Sequence, residues 1–448
     1  MPDITATTAT PPVTATPAVT ATPQVTATPL LTATPRTTAT TPTTPTTAVA
    51  ETPGTSHATA TPPATAVAGT PVFVIGGGPG GLAVAAALRE RGLRSVVVEK
   101  SGGVGGAWRG HYDRLRLHTT RKLSALPGLA IPRAYGRWVK RDDMVRYLED
   151  YAEHHRLEIV TGVEVTRIER RSVEDGARTR WLLRATGGRE LAADAVIVAT
   201  GFNHTPYVPD WPGRDGFRGE LLHAAHYRNA EPYRDRDVLV VGTGNTGADI
   251  AVDLAKGGAS RVRLAVRTAP HIVRRSTVGW PVQRSGILMR RMPRWAVDRA
   301  ARMAGPDLAA YGMPRPETGL SSRVREGATP VLDAGLAKAV RKRKVQPVAA
   351  VGSFDHEKVV LTDGTVLTPD VVVAATGYRR GLEDLVGHLD VLDERGRPRV
   401  NGRRSVTPGL HFTGYTTPIS GMLRELALDA RRIAHALDRE DRRRRRGR

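Results

Sequence analysis

Short apolar runs punctuated by glycine set the rhythm of the chain after residue 70. Val72 to Ile75, "VFVI", is an unbroken apolar run, the pattern of a strand covered on both faces. A glycine-rich turn follows. Ala83 to Arg91 is then rich in Ala and Leu, both strong helix formers, and Gly92 marks its end. Ser95 to Glu99 reads as the next strand. The same strand, turn, helix and strand recur from Asp237 to Thr268, about 165 residues later. Solenoid periods are far shorter, so these are two separate units, each opening a doubly wound α/β domain.

Other segments extend this pattern. Ala195 to Val198 and Val371 to Ala374 are apolar runs, each closing on Ala-Thr-Gly: Ala199-Thr200-Gly201 and Ala375-Thr376-Gly377. "HEKVVLTDGTVLTPD" predicts a hairpin about Asp363-Gly364. An amphipathic pattern from Gly421 predicts a terminal helix. Trp280 to Pro314 mixes Met, Leu and Trp with arginines; its simplest reading is a helical packing face, with a substrate mouth or membrane-facing surface as alternatives.

Composition changes the picture at the two ends. Residues 1–70 are rich in Thr, Pro and Ala, with "VTATPA"-like units repeating from Val13 to Arg36. Such a segment cannot bury enough apolar surface to fold, and recurrent Pro favours extended chain. A disordered tail is expected there. At the other end Arg442 to Arg446 form a charge run, expected to be a solvated basic tail over residues 438–448. The formal charge is +22 over 448 residues, an excess that favours anionic cofactors such as dinucleotides; no specific nucleic-acid partner is expected. The sequence has no cysteine, which excludes disulfides, Cys-ligated metal and dithiol redox chemistry. No run of about 18 apolar residues and no basic-then-apolar leader occur, so a soluble, cytoplasmic protein without membrane contact is expected. Oligomeric state stays open.

The glycine turns carry the candidate chemistry. Gly76, Gly78 and Gly81 form G-x-G-x-x-G between a strand and a helix. In that setting the first Gly permits the tight turn, the second lets backbone approach a pyrophosphate, and the third lets helix and strand pack closely. Helix N-terminal N–H groups then face the phosphates. Glu99, about 20 residues on, is placed to accept from ribose hydroxyls. Gly242, Gly244 and Gly247 repeat the pattern, but the following strand ends in Arg267 rather than an acid. Arg suits a ribose 2′-phosphate, so the second site is expected to prefer NADP(H), with Arg274 and Arg275 as further candidates. Two dinucleotide sites in one chain suggest a flavin paired with a nicotinamide. His154-His155 and the pair His223 and His226 lack acidic or His partners at ligand spacing, so no metal is expected.

With these residues in view, the chain resembles the class B flavin-dependent monooxygenases over about residues 70–437. "FRGELLHAAHYRNA" fits that family's pattern F-x-G-x-x-x-H-x-x-x-[Y/F] through Phe217, Gly219, His223 and Tyr227. Tyr227-Arg228 stands where Baeyer–Villiger enzymes typically carry Trp-Pro or Trp-Asp, which favours the N-oxygenating and YUCCA-like branches. "GGVGGAWR" is similar to the Gly-Gly-x-Trp segment and implies that Gly105, Gly106 and Trp108 lie beside the flavin. "HYDRLRLHTTRKLSALP" and "GTGNTG", with Asn245, resemble the YUCCA-type enzymes; "ATGY" (Ala375 to Tyr378) and "GLHFTGY", with Gly414, resemble late flavin-domain segments. His118 stands where animal-type members have an Asn near the flavin, and the YUCCA-like branch also carries His there.

The resemblance implies FAD and NADP(H) as cofactors and an enzyme that forms a C4a-(hydro)peroxyflavin. It inserts one atom of O₂ into a small organic substrate: an amine, a sulfide or a 2-oxo acid. His118 and His223 are the candidate catalytic residues; His118 is read equally as packing beside the ring, and His223 as steadying the linker to the second unit rather than transferring a proton. An NADPH oxidase-like flavoprotein releasing H₂O₂ and a Baeyer–Villiger-type enzyme are the alternatives. A basic nucleic-acid-binding protein on an inactive Rossmann scaffold is the non-enzyme alternative, against which both intact glycine patterns argue. The expected layout is an FAD domain over residues 71–203 and 346–437, interrupted by an NADP domain over residues 204–345.

Overall fold

The computed structural model describes residues 71–171, 179–277, 280–289, 292–402, 405, 407–418 and 420–446; the Thr/Pro/Ala-rich segment expected to be disordered lies outside them. In chain order the strands of the two main sheets begin with β1 (Val72–Ile75), β2 (Ser95–Val98), β3 (Glu158–Val160) and β4 (Ala195–Val198). They continue with β5 (Glu220–His223), β6 (Asp237–Val241), β7 (Arg261–Val266), β8 (Gln346–Ala349), β9 (Val371–Ala374) and β10 (Leu410–Phe412). Four helices position the site: α1 (Pro79–Arg89), α2 (Arg141–His154), α3 (Asn245–Gly257) and α4 (Met422–Arg446).

The first sheet runs β10-β4-β1-β2-β3 and the second β8-β7-β6-β9-β5. Every pairing within them is parallel. Covered on both faces, β4 and β9 are buried at every position, which is why they read as continuous apolar runs rather than alternating ones. Helix α1 is buried from Gly80 to Leu88, because α4 packs on it from the side away from the sheet. Small side chains, Ala83 and Ala85 to Ala87 on α1 with Ala430 and Ala434 on α4, share that core with Leu82, Leu88 and Ile433. An antiparallel sheet of Val165–Arg170, Trp181–Ala185 and Arg189–Ala193 adds Ile168, Trp181 and Leu183 to the opposite core. The hairpin about Gly364 forms as Lys358–Leu361 and Val366–Leu367, with Gly364 at φ +84°.

The two glycine turns are built alike. Gly76 and Gly242 have φ of +109° and +114°, where L side chains are strained. A Cβ on Gly76 would lie 2.6 Å from the Ala199 carbonyl oxygen, and one on Gly242 2.5 Å from that of Ala375. The two Ala-Thr-Gly segments are therefore the backbones against which the two turns press. A Cβ on Gly81 or Gly247 would overlap the carbonyl oxygen of Gly76 or Gly242 respectively.

Two expected boundaries are corrected. The chain does not return to the first unit at the expected Gln346: β8 and β9 pair in the second sheet, β9 between β6 and β5. The second unit thus holds its chain through Ala374, and Ala375-Thr376-Gly377 closes that unit's strand. The basic tail expected from residue 438 is the continuation of α4 to Arg446. Arg442 pairs with Asp438 at 2.9 Å, one turn apart, and Arg444 approaches Asp194 at 3.5 Å, which ties this basic turn to the first unit.

One buried group links this fold to pH. His411 on β10 is 1% exposed, and burial pushes its imidazole down to about 4, the Gly402 backbone opposing. The unfolded chain takes up that proton near pH 6.5 while the folded protein refuses it until about pH 4, so stability falls as pH drops through that window. The expected loss is about 3 kcal/mol for this group. Denaturant melts at pH 7.5 and 4.5 should show His411→Leu losing markedly less stability on acidification than wild type; an equal loss would remove His411 as its source.

Candidate functional site

A cavity of about 1300 Å³ lies between the two units and is larger than a single small-ligand pocket. Both glycine turns open on it: Gly76, Gly78 and Gly80 from one side, Gly244, Asn245 and Thr246 from the other. The middle glycines, Gly78 and Gly244, are unlike their neighbours, since a Cβ on either meets no protein atom within 4 Å. The turn geometry does not need them; the space in front of them does. Each is the residue before a helix, α1 or α3, whose first N–H groups face the same space.

On the first side Glu99 lines the cavity and is buried. Its carboxylate accepts from the Gly77 N–H at 2.5 Å, the Ser101 N–H at 2.8 Å and the Ser101 hydroxyl at 2.6 Å. These contacts hold the carboxylate across the turn and leave acceptor capacity for a ribose hydroxyl. Gly105, at φ +71°, donates to the Gly77 carbonyl at 3.0 Å, and Gly106 and Trp108 continue the cavity wall. Thr413 and Gly414 complete it at the end of β10. Thr413 Oγ1 is buried with no partner among the described residues, an open position on the wall for a polar ligand atom. The open glycine, the engaged Glu99 carboxylate and this orphan hydroxyl fit a bound dinucleotide.

On the second side Asn245 sits at the start of α3. Its side chain donates to the Pro330 carbonyl at 3.1 Å and accepts from the Leu332 N–H at 2.8 Å. It therefore fixes the cavity wall around Pro330 as well as facing the cavity. Gly242 and Gly247 shape the turn. Arg267 follows the last residue of β7 and is exposed, free of the cavity lining, whereas Arg274 is part of it.

The segment Phe217 to Ala230 is a row of anchors. Phe217 packs edge-on to Phe354 of the Val351–Asp355 strand, ring centroids 5.1 Å apart. A side chain on Gly219 would meet the Phe217 ring. His223, at the end of β5, accepts from the Ala225 N–H through Nδ1 at 3.0 Å, so its Nε2 carries the proton and donates to the Gly377 carbonyl at 2.9 Å. Burial lowers its pKa. Both nitrogens are used within the protein, and the ring clamps β5 to the end of β9. Tyr227 is fully buried, stacks on Tyr233 and donates to Asp253 of α3 at 2.9 Å. Arg228 donates to the Gly110 carbonyl, and its own carbonyl accepts from Asp113 N–H at 2.8 Å. Asn229 donates to the Asp113 carboxylate at 2.8 Å. The segment thus spans from the second unit to the Gly110–Asp113 loop of the first.

His118 lies on the cavity wall and is largely buried, which lowers its pKa, with Asp249 opposing and Arg275 adding to the shift. Two partners at this junction had no signal in the sequence. Asp249 sits within α3, in a stretch that reads as an ordinary helix, and accepts from the Tyr112 hydroxyl at 3.0 Å. Gln283, on a helix of residues 282–289, accepts from the Thr120 N–H at 3.2 Å and donates to the Ser420 carbonyl at 2.7 Å, joining three segments beside the cavity. The stretch expected as a packing face also lines the cavity through Trp280, Gln283, Gly286, Ala301 and Ala304, while Trp295 and Met303 stay exposed. Among the described residues no group of three or more His, Asp or Glu is placed to hold a metal, and no helix is long and apolar enough to cross a membrane.

Comparison with known proteins agrees with this arrangement. Residues 73–282 match the pyridine nucleotide-disulphide oxidoreductase family model. The chain is 34% identical to the indole-3-pyruvate monooxygenase YUCCA1 of Oryza sativa subsp. japonica over 356 residues, covering 77% of this chain and 86% of that protein. It is 31% identical to the probable indole-3-pyruvate monooxygenase YUCCA3 of Arabidopsis thaliana, covering 81% and 85%. Its fold matches the flavin-containing monooxygenase from Stenotrophomonas maltophilia with a TM-score of 0.63 at 24% identity, over 82% of this chain and 99% of that one. With no cysteine for disulfide chemistry, and with two dinucleotide turns facing one cavity, the chain belongs to the YUCCA-like class B flavin-dependent monooxygenases, enzymes that use FAD and NADP(H).

Proposed function

We propose that the protein is an NADPH-dependent monooxygenase acting on a small 2-oxo acid of the indole-3-pyruvate kind. The observation that carries this reading is the single cavity onto which both middle glycines open. A shared space lets a nicotinamide and a flavin meet face to face, with room left for a substrate. The identity of the relatives supports the substrate class.

In this reading the turn Gly76, Gly78 and Gly81 with the α1 N-terminus holds the FAD pyrophosphate, and Glu99 holds the ribose. Gly105, Gly106, Trp108, Thr413 and Gly414 wall the flavin. Gly242, Gly244 and Gly247 with Asn245 and the α3 N-terminus hold the NADP(H) pyrophosphate, and Arg267 takes the 2′-phosphate. Bound FAD, reduced by NADPH, supplies the reaction with O₂ that places one oxygen atom on the substrate and the other in water. The chain's own task is to orient and to exclude water. Burial keeps His111, His118 and His223 below their ordinary pKa, so these three imidazoles stay uncharged at neutral pH. His223 has no free nitrogen and acts as a clamp between β5 and β9.

A panel of aryl 2-oxo acids, amines and sulfides, followed for NADPH loss and H₂O₂ together, tests the substrate. An aryl 2-oxo acid is expected to lower the peroxide fraction; a sulfide or amine that does so while 2-oxo acids leave it unchanged overturns the class, and no effect from any of them favours the oxidase alternative. Gly78→Val should fold with the melting profile of flavin-stripped wild type and purify without the flavin absorbance, whereas Gly81→Val should fail to give soluble protein. A yellow Gly78→Val would move FAD elsewhere. Arg267→Ala should raise KM for NADPH about tenfold or more and leave that for NADH nearly unchanged, as loss of a charged hydrogen bond predicts; equal effects would remove Arg267 from the 2′-phosphate.

A further inference from the structure

Asp249 belongs to α3 of the second unit, yet its carboxylate faces the first. Its Oδ2 accepts from the Tyr112 hydroxyl at 3.0 Å and lies 3.6 Å from His118 Nε2. Tyr112 and Asp249 are 2% and 7% exposed, and the His118 side chain is half-buried at 19%. Burial and the Asp249 charge both push the Tyr112 phenol up, so it stays protonated and remains a donor to Asp249. Arg275, stacked over Trp138 at 4.6 Å, is the cation whose charge reaches this carboxylate. The other His118 nitrogen, Nδ1, is buried and has no partner among the described residues, on a side chain that lines the cavity.

A separation of 3.6 Å is too long for a direct hydrogen bond. It is short enough for the carboxylate charge to choose between the two tautomers of a neutral imidazole. With the proton on Nε2, the N–H dipole points at the carboxylate. With the proton on Nδ1, a ring lone pair faces the negative oxygen instead, in surroundings with little water to screen the repulsion. A neutral ring carries one N–H, so protonation of Nε2 leaves Nδ1 as a bare acceptor.

We propose that Asp249 is a positioning residue: from the second unit's helix it fixes His118, a side chain of the cavity wall, as the Nε2–H tautomer and leaves the buried Nδ1 as the ring's bare acceptor. Because the carboxylate belongs to one unit and the imidazole to the other, His118 is set when the two units stand as they do here. The tautomer assignment is independent of the oxygenation reading; its kinetic consequence rests on that reading.

The test uses full-length protein carrying ¹⁵N-histidine, with the His118 signals identified by their loss in His118→Asn. Ring ¹⁵N shifts are expected to show a protonated Nε2 and a bare Nδ1 in wild type, and a shift toward the Nδ1–H form or a mixture in Asp249→Asn. The Asn variant keeps an acceptor for Tyr112, and retained flavin absorbance reports that it has folded. An unchanged tautomer in Asp249→Asn, or an Nδ1–H form in wild type, overturns the proposal. A double-mutant cycle supplies the second readout. Asp249→Asn and His118→Phe are each expected to lower coupled turnover about tenfold, the size of one lost hydrogen bond, with the double variant no worse than His118→Phe. Effects that multiply would show that Asp249 does not act through His118. If the ring shifts behave as stated but no substrate lowers the peroxide fraction in wild type, the oxygenation reading fails and the tautomer assignment stands.

Discussion

The close approach of backbone to backbone at two missing Cβ atoms governs the rest of this protein. The carbonyl oxygen of Gly76 occupies the place where a side chain on Gly81 would begin, and Gly242 stands in the same relation to Gly247. Helix and strand can meet at that distance only where the third glycine of the turn is bare. The approach brings each helix N-terminus to the carboxyl end of its sheet, beside the Ala-Thr-Gly that follows the neighbouring strand. From this follow the open space before Gly78 and Gly244, the direction of the helix N–H groups, and the single cavity they share. Apolar burial holds the sheets together, but the glycine contacts decide where the cavity lies.

The parts of this arrangement that are local were legible in the sequence. Strand, turn and helix lie within some thirty residues, and their periodicities and glycine spacing report directly on backbone geometry. The parts that depend on distant pairing were not. Val371 to Ala374 reads as a buried parallel strand in either sheet, and nothing in its four residues says that it lies between β6 and β5. Asp249 looks like any polar residue in a mostly apolar helix until α3 is brought against the Tyr112 loop. Gln283 is equally silent, since its two hydrogen bonds join segments more than a hundred residues apart. The run of arginines at the end is largely exposed, as its charge density predicts, but its partners Asp438, one turn earlier, and Asp194, in the first unit, have no signal in the run itself.

The segment Phe217 to Ala230 shows how a signature can consist of fastenings rather than reactive groups. Phe217 holds the outer hairpin, His223 the end of β9, and Tyr227 the flank of α3, while Arg228 and Asn229 reach the Gly110–Asp113 loop that carries Tyr112. Asp253, which receives Tyr227, lies one helical turn beyond Asp249. The linker and the inter-unit carboxylate therefore act on the same face of the same helix. A change in how the linker lies would be felt at His118 through α3, with no residue of the linker touching the reacting atoms.

The placement of β10 and α4 also sets an order of events during synthesis. Every strand of the second sheet has been made once Ala374 is added, and that unit can complete its sheet while the chain is still growing. The first sheet opens the described chain at Val72 but lacks an edge strand until Leu410 to Phe412 arrive, and α1 lacks its outer cover until α4 is finished. The earliest unit to begin is thus the last to close, and its apolar helix α1 stays exposed for more than three hundred residues of translation. Such a window is where a nascent chain is most open to misassembly and to chaperones. Loss of even the last few turns of α4 by premature termination would leave the first-made nucleotide turn beside an unfinished core.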